Sequence, residues 1–192
     1  MQSQVRRRWL VPVALAAVVA LGACGGGTTS SSKSTSGART GRQASVTYAP
    51  AGANPSVSAK MVCEKEVRSE ISGALGVHET RVTTPTWINH IYSCTYMYPN
   101  GSFVLSVKEL VSAQATTAYF DDLAKQLGRA QTLNGLAQGA FIAKNDDVVV
   151  RKDYKVLLVD VHATPATFVP AMTRSDVATN IAASIMSCWT GA

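Results

Sequence analysis

Ile91-Tyr92-Ser93-Cys94-Thr95-Tyr96-Met97-Tyr98, then Pro99-Asn100-Gly101-Ser102, then Phe103-Val104-Leu105-Ser106-Val107-Lys108-Glu109-Leu110, reads as two strands joined by a tight reversal. Tyrosine and β-branched residues populate both arms, and Asn-Gly admits the positive φ that a hairpin turn calls for. Alternation places Phe103, Leu105 and Val107 on one face of the returning arm and Ser102, Val104, Ser106 and Lys108 on the other. The expected sheet therefore rests one face on a core. On the outgoing arm Tyr92, Cys94, Tyr96 and Tyr98 share a face, with Trp87 just upstream. Side chains on one strand face recur about every 7 Å, so Trp87, Tyr92, Tyr96 and Tyr98 form a row that suits either half a core or a candidate binding surface.

Upstream of the hairpin, Cys63, Val67, Ile71 and Ala74 recur at helical spacing, with Glu66 and Glu70 facing elsewhere, which predicts a helix over 59–75 closed by Gly76. Downstream, Phe120, Leu123 and Leu127 predict a second helix over 114–127, stopped by Gly128. A three-stranded meander follows over 140–143, 148–151 and 154–163. Its last strand is apolar on both faces through Val156, Leu157, Leu158, Val159 and Val161, which places it mid-sheet or covered on both sides. Beyond Pro165 and Pro170, Thr173 with Asp176 has the form of a capping box, and Val177, Ile181 and Ile185 make the stripe of a final helix. The order α-β-β-α-β-β-β-α predicts an α+β domain over 58–192, with helices packed on an antiparallel sheet of about five strands.

The N-terminus carries an address. Arg6-Arg7-Arg8 precede an apolar run from Trp9 to Leu21. As a helix that run is about 20 Å long, too short for a bilayer core of roughly 30 Å, so it reads as the core of a signal peptide. Leu21-Gly22-Ala23-Cys24 ends it with small residues and one thiol able to carry a thioether-linked diacylglyceryl group. Residues 1–23 are therefore expected to be a lipoprotein signal peptide, with Cys24 the lipid-attachment site and the first residue of the mature chain. Two acyl chains suffice for stable anchoring where one does not. Residues 24–57, rich in Gly, Ser and Thr, have little to bury and read as a flexible tether. The expected location is the extracytoplasmic face of the cell membrane, with membrane lipid as the partner of the acylated N-terminus.

Formal charge is +6 over the chain, but Arg6, Arg7 and Arg8 lie in the signal and Lys33, Arg39 and Arg42 in the tether. From Val46 onward twelve basic residues face twelve acidic ones, so no nucleic-acid footprint is expected. With Cys24 acylated, Cys63, Cys94 and Cys188 remain, an odd number in a compartment where disulfides persist. Cys63 with Cys94 is the favoured pair, stapling the first helix to the strand after it. Cys188 with either partner is the alternative.

The lipobox with its Ser/Thr/Gly tether, the early Cys63, Cys94-Thr95-Tyr96 on a strand, and Leu133-Asn134-Gly135-Leu136-Ala137-Gln138-Gly139-Ala140-Phe141 together resemble the small secreted lipoproteins of actinobacteria that carry a domain of unknown function. The last stretch is similar to their Gly-Leu-Gly-x-x-Ala element, which Ala137 and Gln138 interrupt here. The resemblance covers most of residues 60–190 and implies a cell-envelope lipoprotein without an assigned activity.

Little in the sequence points to catalysis. His78, His90 and His162 fall at no metal-pair spacing, and Asn145-Asp146-Asp147 reads as hairpin-turn chemistry and not a calcium loop. No cofactor or metal is expected. On the strand reading His90 shares a face with Tyr92 and Cys94, so a thiol–imidazole pair is conceivable only if Cys94 is reduced. The expected function is a non-catalytic module binding an envelope protein or small ligand. A structural or accessory surface protein with no ligand comes second, and an envelope thiol enzyme or hydrolase last.

Overall fold

The computed structural model describes residues 50–189; the signal segment, Cys24 and the tether as far as residue 49 lie outside them. The described chain opens with two short helices where one was expected. Helix α1 (Val57–Met61) is capped by the Ser56 hydroxyl, which accepts from the Ala59 amide, and α2 (Lys65–Leu75) closes on Gly76 at φ 67°. The predicted continuous helix over 59–75 is interrupted at Val62–Glu64. There the Val62 carbonyl accepts from the Tyr96 hydroxyl at 2.7 Å and Cys63 is bonded to Cys94. Two demands from the sheet outweigh helical propensity over these three residues.

Strands β1 (Arg81–Val82) and β2 (Thr86–Ile88) lead into β3 (Ile91–Tyr98) and β4 (Gly101–Glu109), and α3 (Ala113–Leu127) follows. Next come β5 (Arg129–Leu133), β6 (Gly139–Ala143), β7 (Val148–Lys152) and β8 (Lys155–Asp160), and α4 (Arg174–Cys188) ends the order. The sheet has eight strands in the order β1-β3-β4-β8-β7-β6-β5, with β2 also on the outer edge of β3, and every pairing is antiparallel. The expectation of about five strands in the order α-β-β-α-β-β-β-α is thus overturned. β1, β2 and β5 carry no apolar alternation, and it is hydrogen bonding to the edges of β3 and β6 that makes them strands. β5 is Arg-Ala-Gln-Thr-Leu, exposed at all but its last residue.

The hairpin turns differently from its sequence reading. Neither Asn100 nor Gly101 takes a positive φ. Gly101 is needed for space instead: a Cβ there would stand 2.8 Å from Pro165 Cδ and 3.1 Å from the Ala163 carbonyl oxygen, where the chain leaving β8 crosses the turn.

Two cores flank the sheet. On one face Tyr96, Tyr98, Phe103, Leu105, Val107, Leu157 and Val159 pack against Val67 and Ile71 of α2 and Val177, Ile181 and Ile185 of α4. On the other, Phe141, Val149 and Val156 pack against Phe120 of α3. β8, between β4 and β7, feeds both cores, which explains its two apolar faces. Each large side chain so buried stabilises the domain by roughly 1.5–3 kcal/mol before conformational entropy is charged. Thr173 and Asp176 make both arms of the capping box that starts α4.

The entering arm is bound to the domain from Ala51 onward, ahead of the boundary drawn at residue 58. The Ala51 amide donates to the Leu110 carbonyl at 3.0 Å, and the Trp87 indole N–H to the Ala53 carbonyl at 3.0 Å. The Ser56 amide donates at 3.1 Å to the carboxylate of Glu109, which also accepts from the Ser56 hydroxyl. Glu109 is buried, and these donors at the start of α1 satisfy one of its oxygens.

Candidate functional site

The aromatic row does not form a surface. Tyr96 is fully buried, stacked on Phe103 with ring centroids 4.9 Å apart, and Tyr98 is buried edge-on against Phe168. Burial raises both phenols well above the ordinary tyrosine range, and the nearby Glu79 charge adds to the effect. Only Trp87 and Tyr92 are half-exposed. The two readings of the row differed in the burial of these hydroxyls, and Tyr96 and Tyr98 belong to the core.

Cys63 and Cys94 form a disulfide across 31 residues, with Cα atoms 6.1 Å apart, and Cys188 stays outside it. A Cys94 thiolate is therefore not available for chemistry. His90 is also displaced from the expected strand face: it sits in the β2–β3 turn at φ 58°, edge-on to Trp87 at 5.5 Å. Among the described residues no three His, Cys, Asp or Glu side chains gather as a metal-binding group, and no helix is long and apolar enough to cross a membrane.

A cleft of about 450 Å³ opens along α2, lined by Lys65, Arg68, Ser69, Ser72, Gly73, His78 and Glu79. It follows from the amphipathic pattern of the helix. Val67, Ile71 and Leu75 commit one side of α2 to the core, and Lys65, Arg68, Ser69 and Ser72 fall at the complementary spacing. Gly73 leaves open space where a side chain would stand. Glu79 closes one wall: Arg68 Nε donates to Oε1 at 2.7 Å and Ser72 Oγ to Oε2 at 3.0 Å. Burial alone would raise the Glu79 carboxyl, but the hydrogen bonds from Arg68 and Ser72 and the Arg68 charge outweigh it and hold the group below its ordinary range. Glu79 stays ionised and fixes the guanidinium in place.

Exposed Lys65 and Ser69, on the same helix as Arg68, line the cleft beside this ion pair. The arrangement can hold a small ligand bearing a carboxylate or phosphate by charge and hydrogen bonding. None of these residues is among the candidates the sequence pattern picks out. Their signal was a polar stripe at i, i+3, i+4 and i+7 on a helix whose apolar stripe had been recognised. No family model, curated protein or solved structure matches this chain.

Proposed function

We propose that the protein is a cell-envelope lipoprotein, held on the extracytoplasmic face of the membrane through a diacylglyceryl-modified Cys24, whose domain binds a partner or small ligand without catalysing a reaction. The Cys63–Cys94 disulfide carries this reading, because such bonds belong to exported proteins and are rare in a reducing cytosol. The ordered sequence Arg6-Arg7-Arg8, apolar run, Leu21-Gly22-Ala23-Cys24 supports it independently. The α2 cleft, and not the tyrosine row, is the place a small anionic ligand fits.

Replacing Cys24 by Ser tests the anchor. The wild type is expected in the membrane fraction, and the Cys24→Ser protein unprocessed or released. Equal processing and equal membrane retention in both proteins would contradict the proposal.

A further inference from the structure

Three large apolar side chains stand strongly exposed among the described residues: Val57 at 67 %, Ile88 at 64 % and Val111 at 68 %. They come from three separate segments, yet the hydrogen bonding gathers all three at one end of the sheet. Ile88 lies opposite Ile91 at the start of β3, and the His90 carbonyl accepts from the Glu109 amide at 2.9 Å. Glu109 in turn holds Ser56, the residue before Val57, and Val111 follows Leu110, whose carbonyl takes the Ala51 amide. Half-exposed Trp87 joins the group through its bond to Ala53.

Within the segments that form this rim the charge pattern is one-sided, although exposed Glu64 lies close enough to act on Tyr92. Across 50–57, 86–92 and 107–113 the one carboxylate is Glu109, which is buried. Lys108 donates to the Asn89 carbonyl at 2.6 Å, and exposed His90 lies beside Trp87. Asp153, in the neighbouring β7–β8 turn, is engaged by the Gln138 side chain at 3.1 Å. An apolar rim with an amphipathic indole, one lysine and no exposed carboxylate in these segments suits a lipid headgroup region.

The place where the chain enters decides among occupants. Pro50 precedes Ala51 on this rim, and Cys24 lies twenty-six positions upstream. A Gly/Ser-rich chain of that length has a root-mean-square reach of about 25–30 Å, so an acyl anchor at its far end keeps the rim within reach of the bilayer. Contacts too weak to bind a membrane alone then become intramolecular, at an effective concentration in the millimolar range.

We infer that the rim formed by Val57, Trp87, Ile88 and Val111 docks on the lipid surface that carries the Cys24 anchor. This inference rests on the lipoprotein reading. The opposite end of β3 is then directed away from the bilayer. Glu79 stands beside Thr80, whose amide donates to the Met97 carbonyl at 2.7 Å. From Ile91 to Met97 is about 20 Å at the rise of an extended strand, so the docked rim leaves the α2 cleft free.

The test uses the full mature protein, reconstituted in phosphatidylcholine–phosphatidylglycerol vesicles with or without bromine on the acyl chains. With the signal removed the tryptophans are Trp87 and the buried Trp189, so bromine quenching reports Trp87 at the membrane. Wild type is expected to lose emission in brominated vesicles. Trp87→Phe should abolish that loss, and Ile88→Ser with Val111→Ser should reduce it while leaving the thermal transition unchanged. Equal emission in both vesicle types, with the diacylglyceryl mass present on the protein, overturns the docking inference alone, including when the rim proves to be a contact between two copies. Absence of the diacylglyceryl mass overturns the anchor and the docking together.

Discussion

At the residue scale, two glycines have opposite reasons for being glycine. Gly101 is hemmed in by Pro165 and the Ala163 carbonyl, and its φ demands nothing special. Gly101→Ala should therefore cost about 1–3 kcal/mol through overpacking, read as a lower urea midpoint. Gly73 lies within α2 with nothing within 4 Å of a would-be Cβ. Gly73→Ala should stabilise by about 0.5–1 kcal/mol in the same measurement, since alanine suits a helix interior better. Two carboxylates, half-buried Glu79 and buried Asp147, give opposite pH dependences. Glu79 titrates below its ordinary range in the folded protein, so its contribution is complete above the unfolded pKa and disappears as pH falls through the folded one. Arg68 is more than a third exposed, which limits the contribution to about 1 kcal/mol or less. Asp147 is raised, chiefly by burial and despite its bonds to the Val161 amide and Asn145. The folded state then keeps a proton the unfolded state has released, and stability falls as pH rises through that window. Glu79→Gln should flatten the loss of stability on acidification, and Asp147→Asn should flatten the dependence of opposite sign, both followed by thermal unfolding across pH 3–7.

At the element scale, caps and one staple add to what the two cores supply. Thr173 caps α4 with its hydroxyl on the Asp176 amide, while the Asp176 carboxylate returns to the Thr173 amide at 3.0 Å. Thr173→Ala should cost about 1 kcal/mol in chemical denaturation. The Cys63–Cys94 bond joins the α1–α2 junction to β3, and closing a loop of 31 residues is worth about 3–4 kcal/mol on chain-entropy grounds. The double Cys63→Ser, Cys94→Ser variant should lose about that much. What could be read from the chain follows the same division. β3, β4 and the final helix were legible because each writes its burial into a period of two or of 3.6. β8 was legible as a strand with two buried faces. β1, β2 and β5 were not, since two or three residues around Pro85 and a polar run after Gly128 have no period to show. The break between α1 and α2 was hidden for a different reason: the apolar stripe runs through it, and the cause is a tyrosine hydroxyl and a thiol arriving from β3.

At the scale of the whole molecule, the described domain has two unlike ends. One gathers the entering arm, the exposed apolar side chains and a half-exposed indole; toward the other opens a polar cleft with a fixed ion pair. The proposed address rests on local, linear residues, from Arg6 to Cys24. The cleft was not plain in the sequence, since its residues share a helix face with ordinary solvent-exposed polar groups until Glu79 arrives from the next loop. The tyrosine row suited a core or a surface alike, because an alternating aromatic strand face looks the same whether α2 and α4 cover it or solvent does, and the core reading holds for Tyr96 and Tyr98. The central claim, a disulfide-bonded domain held outside the cell by lipid, is tested most directly by the intact mass of protein extracted from membranes, with and without reductant. The account predicts a chain beginning at Cys24 that carries a diacylglyceryl group, with two thiols gained on reduction. An unmodified chain that retains residues 1–23 and has its thiols already reduced would contradict it.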